Sequence, residues 1–558
     1  MPFAIVCKPE DGDCFYFNLH PAHGWTLGPV ELVGIQQILS ARGLLVIHNA
    51  KFDMHMLENL GLSFSPSGRK VWDTVVQHRL FRNDLLSYSL DALTGTKSDG
   101  VKEWIKKNAK RAKLRDEAGD LVPCYWKVPL DVMLPYAEQD VESLRSLYLW
   151  QRQKLDEATA DGFQFLAVSE VELACTPILQ RVERGGLILD RDWTERGLAY
   201  ERGMARTLRA QFVEMAGCEF VSSAKALGPV FDRFGLKKSH TKDGNLKTDE
   251  ETLLKIEHPI GKLILGIRKA EKKADTYYAN FLRMAGRDGA IHCDFRQTGA
   301  DTMRMSCATP NLQNVPAGDD DDEEKEDTPF PVRGCFVPRP GFTFLSIDFA
   351  AQEMRCIIDA AEEEGLAEMV ANGHDVHQAT GELMGGLPRR LGKAVGFSIL
   401  YGSGSALMAS KIKVAIAEAQ RLKNLYFDKL PKIKRFSRAV VNSAEENGSI
   451  ITVYGNRLFV DPRLAYKAVN YMIQGTCAIH TKMAAVAVYN FLTHNKYRTR
   501  IVCLVHDEIL FELHEYEHHI IPELRRLMAA AYPHKILPMG TSAEIYTDRW
   551  GGNSIAIK

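Results

Sequence analysis

Arg389–Gly402 reads RRLGKAVGFSILYG. In an α-helix of ~3.6 residues per turn, positions four apart share a face, so Arg389, Lys393, Phe397 and Tyr401 form one stripe. Two cations on the first two turns suit a polyphosphate, because each neutralises a different phosphate group. The two rings beyond them suit a sugar or base. Gly402 and Gly404 follow, as expected where a helix stops. An ordinary amphipathic helix with its aromatics in the core has the same pattern. The rest of the chain decides between the two readings.

A chain of 558 residues exceeds one small core and predicts three or four units. Hydrophobic content of 45% and charged content of 25% describe a globular protein. The formal net charge of −1 gives no overall basicity, but charge is distributed unevenly. From Arg389 to Ala439, twelve basic residues face only Glu418 and Asp428, a surplus that fits either a solvated face or a phosphate-binding one. Eleven scattered cysteines without a C-x-x-C pair argue against a disulfide framework or a zinc site and for a reducing compartment. No apolar run is long enough to cross a membrane and no secretory signal is evident.

Residues 1 to about 155 read as an α/β unit. Phe3–Cys7 and Phe15–Leu19 flank the turn-forming PEDGD as a hairpin. The apolar run Leu44–Ile47 ends in His48-Asn49-Ala50-Lys51-Phe52-Asp53, where α/β folds place chemistry. Tyr136-Ala137-Glu138-Gln139-Asp140 opens a helix continuing through Leu147. Taken singly, Asn49, Asp53, Tyr136 and Asp140 also fit helix caps and surface carboxylates. Ser222-Ser223-Ala224-Lys225 begins another helix, fitting backbone phosphate or plain capping, and Lys262–Arg283 reads as one long basic helix. Asp319–Asp327, eight acidic residues around Lys325, reads as a solvated loop.

Phe342–Ile347 is an apolar strand delivering Asp348 at its end. Ile501–Val505 is a second such strand, followed by His506-Asp507-Glu508 and a third, Ile509–Leu513, predicting a hairpin with carboxylates at its tip. If the strands ending in Asp348 and Asp507 are neighbours, their carboxylates converge, an arrangement that divalent cations would relieve. Mg2+ prefers such oxygens and retains substrate phosphates as further ligands.

The ordered set SIDFAAQEMR, RRLGKAVGFSILYG and LVHDEILFE resembles the three polymerase motifs of family A DNA polymerases. TMRMS, PNLQN, the DVH at Asp375–His377 and NYMIQGT at Asn470–Thr476 fit the same family, so the resemblance covers essentially the whole chain. It implies an α/β and α+β multidomain fold. An RNase H-like 3′–5′ exonuclease-like domain, residues 1–155, would precede a right-hand polymerase, residues 156–558, with thumb about 196–285, fingers about 362–438 and palm around them. Asp348 and Asp507 would hold two Mg2+ ions, with Mn2+ as an alternative, and Glu508 would stand beside them as a further catalytic residue. Arg389, Lys393 and His377 would contact the triphosphate, with Lys393 also catalytic, and Phe397 and Tyr401 would line the nucleotide pocket. Glu353 would block a ribose 2′-hydroxyl. Arg304, Asn470, Gln474 and His506 would contact primer and template, with Ser222 and Lys225 on the DNA backbone. Asn49, Asp53, Tyr136 and Asp140 match the second and third exonuclease motifs.

The implied partners are primer–template DNA and dNTPs. The implied protein is a monomer in a bacterial or phage-infected cytoplasm, with no 5′-nuclease unit ahead and no insertion for a processivity partner.

The chain departs from the family at Ala351 and Gln352, where Gln and an aliphatic residue are usual, and at Gly396 and Ser398, where Asn and Gly are usual. The first exonuclease motif, an Asp-x-Glu on the opening strand, has no counterpart, since Glu10, Asp11 and Asp13 sit in a turn. Phe3–Cys7 and Phe15–Leu19 then correspond to the family's second and third strands. Either upstream residues supply the missing strand or the sheet closes another way. Absent or weak exonuclease activity is the expectation, with a proofreading enzyme whose first motif is replaced, or a ribonucleotide-using polymerase, as alternatives.

Overall fold

The computed structural model describes residues 4–10, 12–20, 26–40, 43–63, 69–96, 99–108, 113–115, 121–160, 164–241, 243–316 and 328–557. The acidic run Asp319–Asp327 lies outside the described residues, as does Asp11. Its centre is a five-stranded antiparallel sheet in the order Arg500–Val505, Glu508–His514, Phe342–Phe349, Thr541–Tyr546, Ser554–Ile557. Glu508–His514 is buried along its whole length. Even Glu512 is fully enclosed there, and it accepts hydrogen bonds from the Arg339 and Arg500 guanidinium groups. Helices Gln352–Ala361, Ala468–His494 and Ile521–Ala530 complete the same core.

The strand ending in Asp348 is not a direct neighbour of the one preceding Asp507. Glu508–His514 lies between them and pairs Asp348 with Glu508. The two-residue turn between the hairpin strands brings Asp507 back across that strand's end, where its carbonyl accepts from the Phe349 N–H at 3.2 Å. His506, the first turn residue, has φ +54°, a left-handed conformation that costs a non-glycine residue of order 1 kcal/mol.

The long helix Ala468–His494 is buried almost all round, its small residues letting neighbours approach closely. It carries Lys482, which is fully enclosed. Its Nζ donates to Glu172 Oε1 at 2.5 Å and to the Met303 carbonyl at 3.0 Å. Glu172, equally enclosed, also accepts from Gln297 Nε2.

Residues 196–285, the expected thumb, have their own core of Phe212, Phe231, Leu253 and Ile264. The expected continuous helix at Lys262–Arg283 is α-helical over Pro259–Lys272, widens into a π-helix over Lys273–Ala279 and resumes at Asn280–Met284.

In the N-terminal region the expected hairpin forms, Ala4–Cys7 antiparallel to Phe15–Asn18. Gly43–Ile47 pairs in parallel with Arg69–Asp73, joined by helix Ala50–Asn59. Among the described residues no ladder joins these two pairs, yet Ile5, Phe17, Leu45 and Ile47 pack on one cluster with Ile35, Met54 and Val71. Helix Leu130–Ala160 packs against both pairs. It starts about one and a half turns before Tyr136 and takes Pro135 inside it, where the missing N–H removes one helical hydrogen bond. It also runs past residue 155, to Ala160. The N-terminal region docks on helix Phe165–Gly185 through one face of Ala50–Asn59. Lys51 and His55 both meet the Glu183 carboxylate, and Glu58 pairs with Arg181 and Arg184.

A buried ion pair that loses one member leaves an uncompensated charge, which costs about 3–5 kcal/mol. Lys482→Met is therefore expected to lower the denaturant midpoint strongly. Adding Glu172→Leu should recover a substantial part of the loss, and equilibrium unfolding of both variants checks this.

Candidate active site

Helix Arg389–Leu400 begins after Pro388 and stops at Tyr401, as the stripe requires. Gly402 follows with φ +63°, and a Cβ there would sit 2.1 Å from the Tyr466 carbonyl, so glycine is obligatory. Gly392 and Gly381 let this helix cross Val376–Leu383 with backbones in contact. That crossing brings the buried His377 ring 5.6 Å from Phe397, which stacks on Tyr401 at 5.9 Å with planes 14° apart. Arg389 is exposed and Lys393 half-buried. Arg389 is held in a fork: Nε donates to Asp375 Oδ1 at 3.1 Å and Nη2 to Oδ2 at 3.2 Å. Asp375 also caps the Val376–Leu383 helix by accepting from the His377 and Gln378 N–H groups. The Asp375–Arg389 pair was not foreseen, although Asp375 stood in the DVH motif.

Asp348 and Asp507 meet at the end of the central sheet. Burial, reinforced by the Asp507 and Glu508 charges, pushes the Asp348 carboxyl up to about 8. Burial raises Asp507 as well, opposed by its own backbone N–H and the Arg304 charge. Asp348 Oδ1 is enclosed and has no hydrogen-bond partner among the described residues. Two desolvated carboxylates with an orphaned oxygen fit hard divalent cations. Glu508 lies opposite Asp348 in the strand register, which puts both side chains on one face, and its charge helps raise the Asp348 carboxyl. It accepts from Ser346 Oγ at 2.7 Å and meets Arg333 Nη1 at 3.5 Å. Among the described residues no group of three or more His, Cys, Asp or Glu forms a metal cluster.

Between this pair and the aromatic stripe lies Glu353, in the first turn of Gln352–Ala361. It accepts from Tyr401 Oη at 3.0 Å and pairs with Arg304 Nη2. Burial, together with the Glu353 charge, pushes the Tyr401 hydroxyl up to about 12, so it remains a donor. Gln474 hydrogen-bonds to Tyr401, and Asn470, one turn earlier on the same helix, has an enclosed Oδ1 without a partner among the described residues. Arg304, Gln313, Gln352 and the exposed His506 line a recess beside the carboxylates. Gln313 was not singled out beyond its place in PNLQN, and Gln352 only as a departure.

The departures have local partners. Ala351 sits at the helix N-cap with φ +52°. Gln352 Nε2 donates toward His480 Nδ1 at 2.9 Å and Thr481 Oγ1 at 3.3 Å, so its amide is satisfied in the core. A Cβ at Gly396 would stand 3.1 Å from Met354 Cε, so glycine there makes room for the methionine. Ser398 Oγ is buried without a partner among the described residues, and nothing in the structure explains that substitution.

Ser222 and Lys225 are exposed, but Ser223 is the helix cap and Ser222 accepts from Arg268 at 2.9 Å, so the hydroxyls serve the local fold. In the N-terminal region the four matched residues divide into two groups. Burial pushes Asp53 up to about 6, with Asp73 the charge facing it. Asp73 is itself consumed in accepting from the Asn49, Ala50 and Val75 N–H groups. Asp140 lies instead with Tyr136, Asp91 and Lys102. The sequence pointed to neither Asp73 nor Asp91.

An antiparallel sheet presenting paired carboxylates, with a helix bearing cations and stacked rings beside it, defines the right-hand fold of nucleic-acid polymerases. Residues 199–551 match the model of DNA polymerase family A, and residues 27–156 match that of a 3′–5′ exonuclease. The chain belongs to DNA polymerase family A. It is 27% identical to DNA polymerase I of Pseudomonas aeruginosa, covering 91% of this chain and 57% of that protein. It is 30% identical to DNA polymerase I of Caldicellulosiruptor bescii, covering 70% and 49%. The chain thus spans about half the length of these relatives. Its fold matches the POL domain of Pol1 from M. smegmatis, solved in complex with DNA primer-template and dNTP. The TM-score is 0.82 and the identity 25%, covering 98% of this chain and 92% of that one. No helix among the described residues is long and apolar enough to cross a membrane.

The crowded carboxylates predict a stability signature independent of activity. Above about pH 4, Asp348→Asn should raise the thermal midpoint of the metal-free protein, because it removes a carboxyl whose charged form is disfavoured by burial and then by the Asp507 and Glu508 charges. A divalent cation should raise the midpoint of the parent and much less that of the variant, as differential scanning fluorimetry would read.

Proposed function

We propose that the chain is a template-directed DNA polymerase that adds deoxynucleotides to a primer 3′ end by in-line phosphoryl transfer. The observation that carries this reading is the convergence of Asp348 and Asp507 near the Glu353–Arg304–Tyr401 cluster and the Arg389/Lys393/His377 face. Asp348 and Asp507 would hold two Mg2+ ions, with substrate phosphates completing the coordination. Bound there, the ions would activate the primer hydroxyl and offset charge on the leaving oxygen. Arg389, Lys393 and His377 would take the triphosphate, with Arg389 exchanging the Asp375 carboxylate for phosphate of the same planar geometry. Phe397 and Tyr401 would stack against the nucleotide. Arg304, Asn470, Gln474 and His506 would contact the minor groove, whose acceptors are shared by all base pairs, so they sense pairing geometry and not sequence.

Glu353 is fixed from two sides, by Arg304 and Tyr401, so it cannot swing away from an incoming sugar. That rigidity supports a steric block to a ribose 2′-hydroxyl and argues against a ribonucleotide-using enzyme. We assign the region up to Ala160 as exonuclease-like and the remainder as the polymerase, with thumb about 196–285 and fingers about 362–438. The lack of a carboxylate on strand Ala4–Cys7 supports weak or absent 3′–5′ hydrolysis. The protein would act as a monomer in the cytoplasm, where its DNA substrate resides.

Asp507→Ala should lower the primer-extension rate at least about 1,000-fold while duplex affinity stays near that of the parent. Extension within tenfold of the parent would refute the assignment. The same parent preparation on single-stranded DNA without dNTPs should leave the substrate largely full length.

Glu353→Ala should narrow the ratio of kcat/KM between matched dNTP and rNTP by about tenfold or more, since the side chain no longer occupies the 2′-hydroxyl position. Single-nucleotide insertion kinetics give that ratio, and an unchanged value removes the steric role.

A further inference from the structure

Arg304 reaches Glu353 from a tight turn whose two ends are anchored by different parts of the molecule. The Met303 N–H donates to the Ala300 carbonyl at 2.9 Å and the Ala300 N–H to the Arg304 carbonyl at 3.1 Å. Met303, fully buried, has φ +63°, a conformation that a non-glycine residue keeps only when its surroundings enforce it. On one side the enforcing contact is Lys482 on the Met303 carbonyl. On the other it comes from the exonuclease-like region. Asn83, only 1% exposed, donates through Nδ2 to the Asp301 carbonyl at 2.7 Å and to the Phe459 carbonyl at 3.3 Å, and its Oδ1 accepts from the Phe459 N–H at 2.8 Å.

All the amide's polar atoms are therefore used on backbone of the polymerase region. The segment carrying Asn83 is itself braced. Tyr88 Oη donates to the Arg82 carbonyl and accepts from the Leu85 N–H, and the Arg82 guanidinium lies 5.1 Å from the Phe459 ring. Strand Arg457–Phe459 continues the contact, because Leu458 packs on Gly475, the residue after Gln474.

We propose that Asn83 is a positioning residue through which the exonuclease-like region sets the Arg304 turn, and with it Glu353 and Tyr401, for nucleotide addition. The proposal rests on the polymerase reading above. It gives that region a role in synthesis whether or not it hydrolyses DNA. The physical link is an unbroken series of hydrogen bonds and ion pairs, Asn83 to Asp301, the 300–304 turn to Arg304, Arg304 to Glu353, and Glu353 to Tyr401.

The test uses the full chain and single-nucleotide addition kinetics on a primer–template with Mg2+. Asn83→Ala is expected to lower kcat about five- to tenfold with a change in dNTP KM below about twofold. Combined with Arg304→Ala, it should cost little more than Arg304→Ala alone, a non-additivity that a merely destabilising substitution would not show. Asn83→Ser, a milder change, should give an intermediate kcat and serves if the alanine variant does not fold. Leu86→Ser, on the same loop and fully exposed, should leave the rates unchanged. Parent-like kcat in the folded Asn83 variants, or an equal loss in the Arg304→Ala background, overturns the proposal. A parent chain that does not extend primers overturns the polymerase reading and this inference with it.

Discussion

Burial, with the nearby Asp507 charge, opposes ionisation of Asp348, and the sheet that carries both residues holds them in place. Asp348 and Asp507 could relax apart if either were on a loose loop. Asp348 instead ends the middle strand of the five-stranded sheet, paired on both sides, and Asp507 sits in a two-residue turn closed by the Val505–Glu508 pair. The left-handed His506 and the Phe349 N–H to Asp507 carbonyl bond fix that turn against the strand end. The sheet therefore stores an electrostatic cost that bound cations would release, the usual relation between a rigid scaffold and a strained functional site.

The surrounding charges are paired so that few compete for the same position. Glu508 is drawn off to Ser346 and Arg333, Glu512 to Arg339 and Arg500, and Glu353 to Arg304 and Tyr401. Arg389 waits on Asp375, an exposed partner whose screened attraction a triphosphate would overcome. Beneath these groups lies the enclosed Lys482–Glu172 pair, which stabilises little by itself but holds one geometry for the turn that aims Arg304.

What could be seen in the sequence follows from which features are local. The Arg389–Tyr401 stripe depends on helical period alone, and the structure has it as expected. The apolar runs ending in Asp348 and before Asp507 are strands, but their order in the sheet is non-local, and the position of the third strand, Glu508–His514, between them was not anticipated. Side-chain partners set by distant segments were equally hidden. Asp375 on Arg389, Gln352 with His480, and Asn83 on Asp301 join residues 14 to 218 positions apart. In the N-terminal region the motif spacings were legible, but the charges facing each residue come from distant segments. Asp53 is buried against Asp73, whereas Asp140 stands with Tyr136, Asp91 and Lys102.

The central claim is that Asp348 and Asp507 together form the cation seat that serves nucleotide addition. Crystals of the full chain with primer–template, a dNTP and Mn2+ would place the ions directly by anomalous scattering. Anomalous peaks are expected within about 2–2.5 Å of carboxylate oxygens of both residues and of the nucleotide phosphates. Peaks confined to other carboxylates, or a nucleotide bound with no ion between Asp348 and Asp507, would contradict it.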